Sequence, residues 1–400
     1  MKQLGVLYYV TFFPKLSETF ILNELKELYN RGYNIAVFAL EDPGENITHK
    51  EYEDIDVPIY YADVSDTNFP QEQTKEPPQI DLNNSSSGLY RHFTSKQIDQ
   101  NLLLGKQCAE FIESLDFAVD VVNAHFASST RIGAQLAARH HGIPCTVTAH
   151  AVEIFASPNV PQIKYICDCM DHIIVPSEYN RDYLREEIGV GNDITLVPAN
   201  TNVEKFEPSV PTVEKRLLTV ARLVEKKGYP YGIEAVNNLI KQGYDIEYRI
   251  FGSGEKKSQL QQQVKKLGIE DYVEFMGPVS DERLKRELSE ASIFVLPCVI
   301  AEDGDRDAMP VVLKDAMASE TACVSTTVSA IPELITDGDD GLLVPQKESK
   351  ELAAAIQELL DNPKKRRKIA ENGRETVHER FDISESVNKL TEVFESLQSD

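Results

Sequence analysis

Along the first half of the chain, short apolar runs alternate with segments whose apolar residues recur every three or four positions. Those are the two periods that separate buried strands from amphipathic helices. LGVLYYV reads as a strand, SETFILNELKELYNRG as a helix and YNIAVFAL as a second strand. Within the helix Ser17 stands as the N-cap, Phe20, Leu22, Leu25 and Leu28 supply the stripe, and Gly32 closes the segment as a C-cap. Together they make a βαβ unit. From Glu41 to Gln100 the alternation is lost in EDPGENITHKEYEDID and PQEQTKEPPQIDLNNSSSG, which are polar and rich in Pro, Asn and Ser and predict a long, mobile loop region. Order returns with a helix near 101 to 115, the strand VDVVNAHFA, a helix near 129 to 141, the strands PCTVTAH and HIIVPS, and a helix from about 178.

Around NTNVEKFEPSVPTVEKR, residues 200 to 216, two prolines and mixed charges interrupt the pattern, and a second cycle begins. RLLTVARL, IEYRIFGSG, VEFMG, IFVLPC, ACVST and GLLVP read as strands, with GYPYGIEAVNNLIKQG, KKSQLQQQVKKLG, ERLKRELSEAS and ESKELAAAIQELLDN as the helices between and after them. Strands alternating with helices imply parallel sheets covered on both faces. At 400 residues the chain also exceeds what one core usually covers. The expected fold is therefore α/β, with two Rossmann-like domains whose parallel sheets face each other across a cleft. The expected boundaries are 1–205, with 41–100 its variable part, then 206–378, then a final helix over 379–400 packing back on the first domain.

Composition narrows the function by exclusion. A formal charge of -24 argues against nucleic acid as a partner and against purely electrostatic attachment to an anionic membrane. The six cysteines form no CxxC pair, and Cys167-Asp-Cys169 is too tight for the usual zinc spacing, which suits a reduced, cytoplasmic chain. MKQLGVLYYVTFFP lacks a small-residue cleavage site and reads as the first strand. No run approaches the ~18 apolar residues of a membrane span.

Candidate chemistry lies where strands end. ARLVEKKG puts Arg222 and Lys227 between a strand and a helix starting near Gly228. Cations beside a helix N-terminus suit a phosphate or diphosphate, although a solvated loop would look the same. FGSGEKK, with Gly252, has the place of a nucleotide-binding turn but lacks the third glycine of a dinucleotide fingerprint, so a plain tight turn is the simpler reading. His125 in NAHFA, and His150 with Glu153 in TAHAVEIF, follow short strands and so belong at the strand ends where α/β sheets take ligands. In EDGDRDAMPVVLKDAMAS, Pro310 suits a first helical turn, and Leu313, Ala316 and Met317 give the helix a buried stripe. Asp303, Asp305 and Asp307 are then charges favoured at a helix start. Asp315, inside the helix, is not explained that way, and a metal site of clustered carboxylates is a third reading.

Taken in order, FPKLSETFILNEL, HFA, TAHAVEIF, VPSEYNRDYL, ARLVEKKG, DGDRDAMPVVLKDAMAS and AIPELITDGDDGLLVP resemble, over nearly the whole chain, the retaining glycosyltransferases of family four. These have a two-Rossmann B-type fold, and the likeness is to the group that includes the colanic-acid and exopolysaccharide enzymes. The resemblance implies that Arg222 and Lys227 hold the donor diphosphate, with Gly252, Ala308, Met309, Pro310 and Glu333 also lining the donor site. The family's E-x7-E pattern falls on Asp307 and Asp315, the first facing the donor sugar hydroxyls and the second the ribose diol. His150 matches the family's active-site histidine, and Ser17 and Glu18 lie on the first loop near the reacting centre, on the acceptor side with His125 and Glu153.

The pattern also departs from the family's. Both glutamates are aspartate here, each shorter by one C–C bond, about 1.5 Å. Glu153 stands where an aspartate is common, Ala330 and Glu320 where glycines are usual, and PANTNVEKF replaces a Gly-Val-Asp run. The implied reaction moves a sugar from a UDP- or GDP-sugar to a glycan or lipid-linked acceptor with retained anomeric configuration, and requires no metal or further cofactor. A lipid-linked acceptor would bring the protein to the inner face of the membrane. The competing reading is a homologue that binds sugar nucleotides with little or no turnover.

Overall fold

The computed structural model describes residues 3–45, 49–63, 89, 91–208 and 212–398. They form two compact units, Met1–Val197 with Val387–Asp400, and Pro198–Ser386.

The first unit holds seven parallel strands: β1 (Gly5–Phe12), β2 (Asn34–Glu41), β3 (Ile59–Tyr61), β4 (Val121–His125), β5 (Cys145–Thr148), β6 (His172–Val175) and β7 (Ile194–Leu196). Their order in the sheet is β3-β2-β1-β4-β5-β6-β7. Residues Val6 to Val10 are fully buried, as continuous apolar strands between two helical layers must be. The second unit holds six: β8 (Val213–Val220), β9 (Glu247–Phe251), β10 (Val273–Gly277), β11 (Ala291–Leu296), β12 (Ala322–Thr326) and β13 (Leu342–Val344). Their order is β10-β9-β8-β11-β12-β13, again all parallel. Each sheet thus reverses its order once, between β1 and β4 and between β8 and β11.

Three local expectations change. The first helix runs Thr19–Asn30, so Ser17 is not its N-cap; Glu18 precedes the helix, fixed by its own N–H to the Lys15 carbonyl (3.0 Å) and by a 2.7 Å ion pair with Lys15. The region expected to be loop contains a short helix at Lys50–Glu53 and the edge strand β3, while 64–88 and 90 lie outside the described residues. The next helix begins at Ser95, earlier than expected, because Thr94 and Gln97 form a capping box: the Thr94 hydroxyl accepts from Gln97 N (3.3 Å) and Gln97 Oε1 accepts from Thr94 N (2.9 Å).

The helix Ile383–Ser396 starts in the second unit, and its larger part belongs to the first. There Arg31 Nη1 donates to Asn388 Oδ1 at 2.6 Å, and Gln398 donates to the Asp120 carbonyl at 2.8 Å. Among the described residues no helix is long and apolar enough to cross a membrane.

One buried cation organises the second unit. Lys314, in the helix Val311–Ala318, is 0% exposed. Its ammonium donates to the Ala199 carbonyl (2.7 Å) and Asn200 Oδ1 (3.3 Å), and sits 4.9 Å over the Phe381 ring. Burial drives its pKa down to about 7, against the opposing pull of Asp315 and Glu333. The unfolded lysine titrates near 10.4, so between the two values the unfolded chain binds the extra proton and stability must rise with pH. The free energy of unfolding of the native chain should therefore gain about 2 kcal/mol between pH 7.5 and 9 relative to Lys314→Met, at ~1.4 kcal/mol per pH unit. Denaturant titrations at both pH values measure this, and an identical pH response in the two proteins would refute it.

Candidate functional site

In the second unit the loops leaving β8 and β11 diverge at the point where strand order reverses, the usual ligand position of an open α/β sheet. The β8 loop carries Arg222, Lys226 and Lys227, and the β11 loop carries Asp305 and Asp307. The two loops are bonded together, Val299 N to the Lys226 carbonyl at 2.9 Å and Glu302 N to Glu225 Oε1 at 3.0 Å. Gly228 permits this approach: its φ is +65°, and a Cβ there would lie 1.8 Å from the Pro297 carbonyl oxygen. Gly252 does the same for the neighbouring β9 loop, where a Cβ would meet the Ala221 carbonyl oxygen at 2.0 Å. The close approach that Gly252 allows is thus to the backbone of the Arg222 loop.

Lys227 Nζ stands 2.6 Å from Asp307 Oδ2, while Lys226 Nζ lies 3.0 Å from Asp305 Oδ1 and 3.6 Å from Asp307 Oδ1. The Cys298 thiol donates to Asp307 Oδ2 at 3.5 Å. Burial alone would push the Asp307 carboxyl up, but Lys227 and Lys226, with these hydrogen bonds, hold it at about 2. Burial would likewise lower the Lys227 ammonium, and Asp307 raises it above its ordinary value. Asp305 is thus no simple helix-start charge; it shares Lys226 with Asp307. Arg222 is exposed and pairs with no carboxylate among the described residues, and its charge reaches Lys227. Three cations therefore face two carboxylates, and the surplus positive charge sits on the exposed one.

Asp315 answers to a different partner. It is 9% exposed, and the Thr201 hydroxyl donates to its Oδ1 at 2.5 Å. Pro310 sits at the helix start, preceded by the buried Ala308 and Met309. The Ala308 carbonyl accepts from Ala330 N at 3.1 Å, which ties in the short helix Ile331–Leu334 that carries Glu333. Lys226, Asp305, Cys298 and Thr201 are additions that only the fold reveals.

In the first unit His125 ends β4 and His150 follows β5 by two residues, their rings 3.0 Å apart from His125 Nδ1 to His150 Nε2. His150 is 8% exposed, flanked by Phe20 and Phe126 with ring centroids at 4.7 and 4.6 Å. Burial first, then His125 and Arg131, hold its pKa well below the usual histidine value, so it is neutral near pH 7. Glu153 Oε1 accepts from His150 N (2.6 Å) and Ala127 N (3.2 Å), and burial nonetheless pushes its carboxyl up. The amide of Asn180, whose helix is capped by Ser177, donates to the His150 carbonyl. Beneath lies Arg131, 0% exposed, donating to the His125 carbonyl (2.6 Å), Thr130 Oγ1 (2.8 Å) and Thr11 Oγ1 (2.6 Å). Ser17 is exposed on the β1 loop, and Glu18 keeps one oxygen on Lys15 while Oε2 is buried without a partner among the described residues.

Residues 17–205 match the family model Glycosyltransferase Family 4, and residues 200–376 match Glycosyl transferases group 1. Over 378 residues the chain is 29% identical to WcaL of Salmonella typhimurium, a glycosyltransferase named for colanic acid biosynthesis, covering 88% of this chain and 90% of that protein. It is 26% identical to the amylovoran biosynthesis glycosyltransferase AmsK of Erwinia amylovora, covering 96% and 98% of the two chains. Anabaena HepE, solved in complex with UDP-glucose, shares the fold with a TM-score of 0.75 at 17% identity, over 98% of this chain and 100% of that one. With consecutive family matches running from residue 17 to residue 376 and relatives aligned along nearly its full length, the chain belongs to the family 4, group 1 glycosyltransferases of the two-Rossmann B-type fold.

Proposed function

We propose that the protein transfers a sugar from a nucleoside diphosphate donor to a glycan or lipid-linked acceptor, with retention of anomeric configuration, in the building of a cell-surface polysaccharide. The observation that carries this reading is the exposed Arg222, paired with no carboxylate among the described residues, beside the Lys227–Asp307 pair at the β8–β11 reversal. A diphosphate brings the negative charge that this cluster lacks, and as the leaving group departs its charge grows. Arg222 and Lys227 would stabilise that growth through charge-assisted hydrogen bonds to the diphosphate oxygens. Asp307, held ionised at about 2, can accept from the hydroxyls of the donor sugar. Asp315 is assigned to the ribose diol, alongside the Thr201 hydroxyl it already holds.

WcaL and AmsK, by their names, act in exopolysaccharide synthesis, and HepE binds UDP-glucose. These likenesses favour a UDP- or GDP-sugar as donor, with UDP-glucose the first to try, and a polysaccharide or its lipid-linked precursor as acceptor. Such an acceptor would place the enzyme in the cytoplasm, in contact with the inner face of the membrane. His150, His125, Glu153, Ser17 and Glu18 would serve the acceptor side, with Gly252, Ala308, Met309, Pro310 and Glu333 around the donor.

Incubating the protein with a panel of nucleotide sugars, with and without polyprenyl-linked or glycan acceptors, should give binding and nucleotide release for at least one donor. Binding without release for every donor would overturn the transfer reading. Arg222→Ala should weaken donor binding by roughly 10- to 150-fold, the ~1.5–3 kcal/mol of one charged hydrogen bond, measured by calorimetry. Unchanged affinity would sink the phosphate assignment. Asp307→Ala should leave free UDP bound as well as before, or more tightly, because it releases Lys227, while transfer collapses; Asp315→Ala should weaken free UDP itself. An equal loss of UDP affinity in both variants would contradict this division of roles.

A further inference from the structure

The histidine pair of the first unit is chained to a buried amide. Asn123, on β4, is 0% exposed. Its Oδ1 accepts from the Thr146 hydroxyl at 2.9 Å, and its Nδ2 lies 3.4 Å from Glu24 Oε1 and 3.3 Å from His125 Nε2. The flipped amide would aim a carbonyl oxygen at the Glu24 carboxylate, acceptor against acceptor, so the NH2 group is the one that faces Glu24 and His125. An amide N–H directed at His125 Nε2 needs a lone pair there, which puts the His125 proton on Nδ1. That N–H points at His150 Nε2, 3.0 Å away, so His150 Nε2 accepts and its own proton is on Nδ1. A doubly protonated His125 would impose the same state on His150, since its Nδ1 would still donate.

The surroundings leave His150 one open edge. Phe20 and Phe126 cover the ring faces, Glu153 and Asn180 hold the backbone, and Nδ1 has no partner among the described residues. The charged and titratable groups facing the pair come from every neighbouring element. Tyr8 on β1 stacks on His125 at 5.6 Å and donates to Glu24 at 2.7 Å. Glu24, on the helix Thr19–Asn30, lies 3.6 Å from His125 Nε2. Arg131, at the start of the helix Arg131–His141, binds the His125 carbonyl, and Glu153, on the short helix Val152–Phe155, accepts from His150 N. The buried Arg131 charge acts against any proton added to His150.

We propose that Asn123 is a positioning residue that, through His125, fixes His150 in its Nδ1–H tautomer, so that His150 offers a substrate oxygen a hydrogen-bond donor and not a base. The statement that a substrate meets this edge rests on the glycosyl-transfer reading; the tautomer does not.

Long-range proton–nitrogen correlation spectra of the full chain carrying isotope-labelled histidine, recorded at about pH 8, above the usual histidine range, read the tautomer directly. The His150 signals are those lost in His150→Gln. The expected spectrum shows His150 protonated at Nδ1 and bare at Nε2; a proton on Nε2 overturns the proposal whether or not the protein transfers sugar. Asn123→Asp keeps the shape and exchanges donor for acceptor, so His125 should move its proton to Nε2 and His150 should invert. With hydrolysis of the donor that the panel identifies as readout, the inversion should lower kcat by roughly tenfold or more, about what one lost hydrogen bond is worth, with KM little changed. A retained tautomer with His125 singly protonated in the same spectrum, or an inverted one with unchanged kcat, removes Asn123 from this role. Should Asn123→Asp not fold, Glu24→Gln removes the carboxylate that forbids the flipped amide and should give both tautomers at once, whereas a single wild-type tautomer would count against the chain of bonds. A native protein silent toward every nucleotide sugar of the panel would count against the proposed function and leave the tautomer result standing.

Discussion

The ionised state of Asp307, largely withdrawn from water, constrains nearly everything around it in the second unit. A carboxylate in that position would take up a proton if left alone. It is held at about 2 because two ammonium groups reach it from a different loop. Those loops can meet because a parallel sheet delivers the carboxyl ends of all its strands to one edge, and they meet closely enough because Gly228 has no side chain to hold them apart. Removing Lys227, the nearer of the two, would leave that buried carboxylate short of a partner, a larger loss than the pair itself contributes. The cluster is therefore rigid on its inner side and open only through Arg222.

The first unit meets the corresponding edge of its sheet by other means. Its buried cation, Arg131, is satisfied by a carbonyl and two hydroxyls. Above it a chain of hydrogen bonds runs from Thr146 through Asn123 and His125 to His150, beside the carboxylates of Glu24 and Glu153. In a poorly polarisable surrounding such a chain passes orientation from one member to the next, and each unpaired link would be costly. One sheet edge is thus ordered by ion pairs and the other by a run of hydrogen bonds.

Both parallel sheets could be read in the sequence because period-two and period-three-to-four patterning is local, and so is the spacing that sets Arg222 against Lys227 and Asp307 against Asp315. The start of the helix at Ser95 was harder to see, since its capping box, Thr94 to Gln97, is polar and sits at the end of a long polar stretch. Ser17 looked like a cap by residue type, yet the Lys15–Glu18 turn settles the helix start one residue further on. The contacts that define the two sites join residues 79, 114 and 99 positions apart: Lys226 to Asp305, Thr201 to Asp315 and Glu24 to Asn123. Nothing in the neighbourhood of Lys226, Asn123 or Lys314 marks them, because each is a polar residue whose partner is supplied by a segment distant in sequence.

The helix Ile383–Ser396 gives the chain an order of completion. The first unit is made of Met1–Val197 and Val387–Asp400, so its closing segment leaves the ribosome only after all of Pro198–Ser386 has been synthesised. The second unit, contiguous in sequence, can finish before the first does. A nonsense mutation just beyond residue 386 would accordingly spare the later-made body and injure the earlier-made one, exposing the surface near Arg31 and Asp120 that Asn388 and Gln398 otherwise cover.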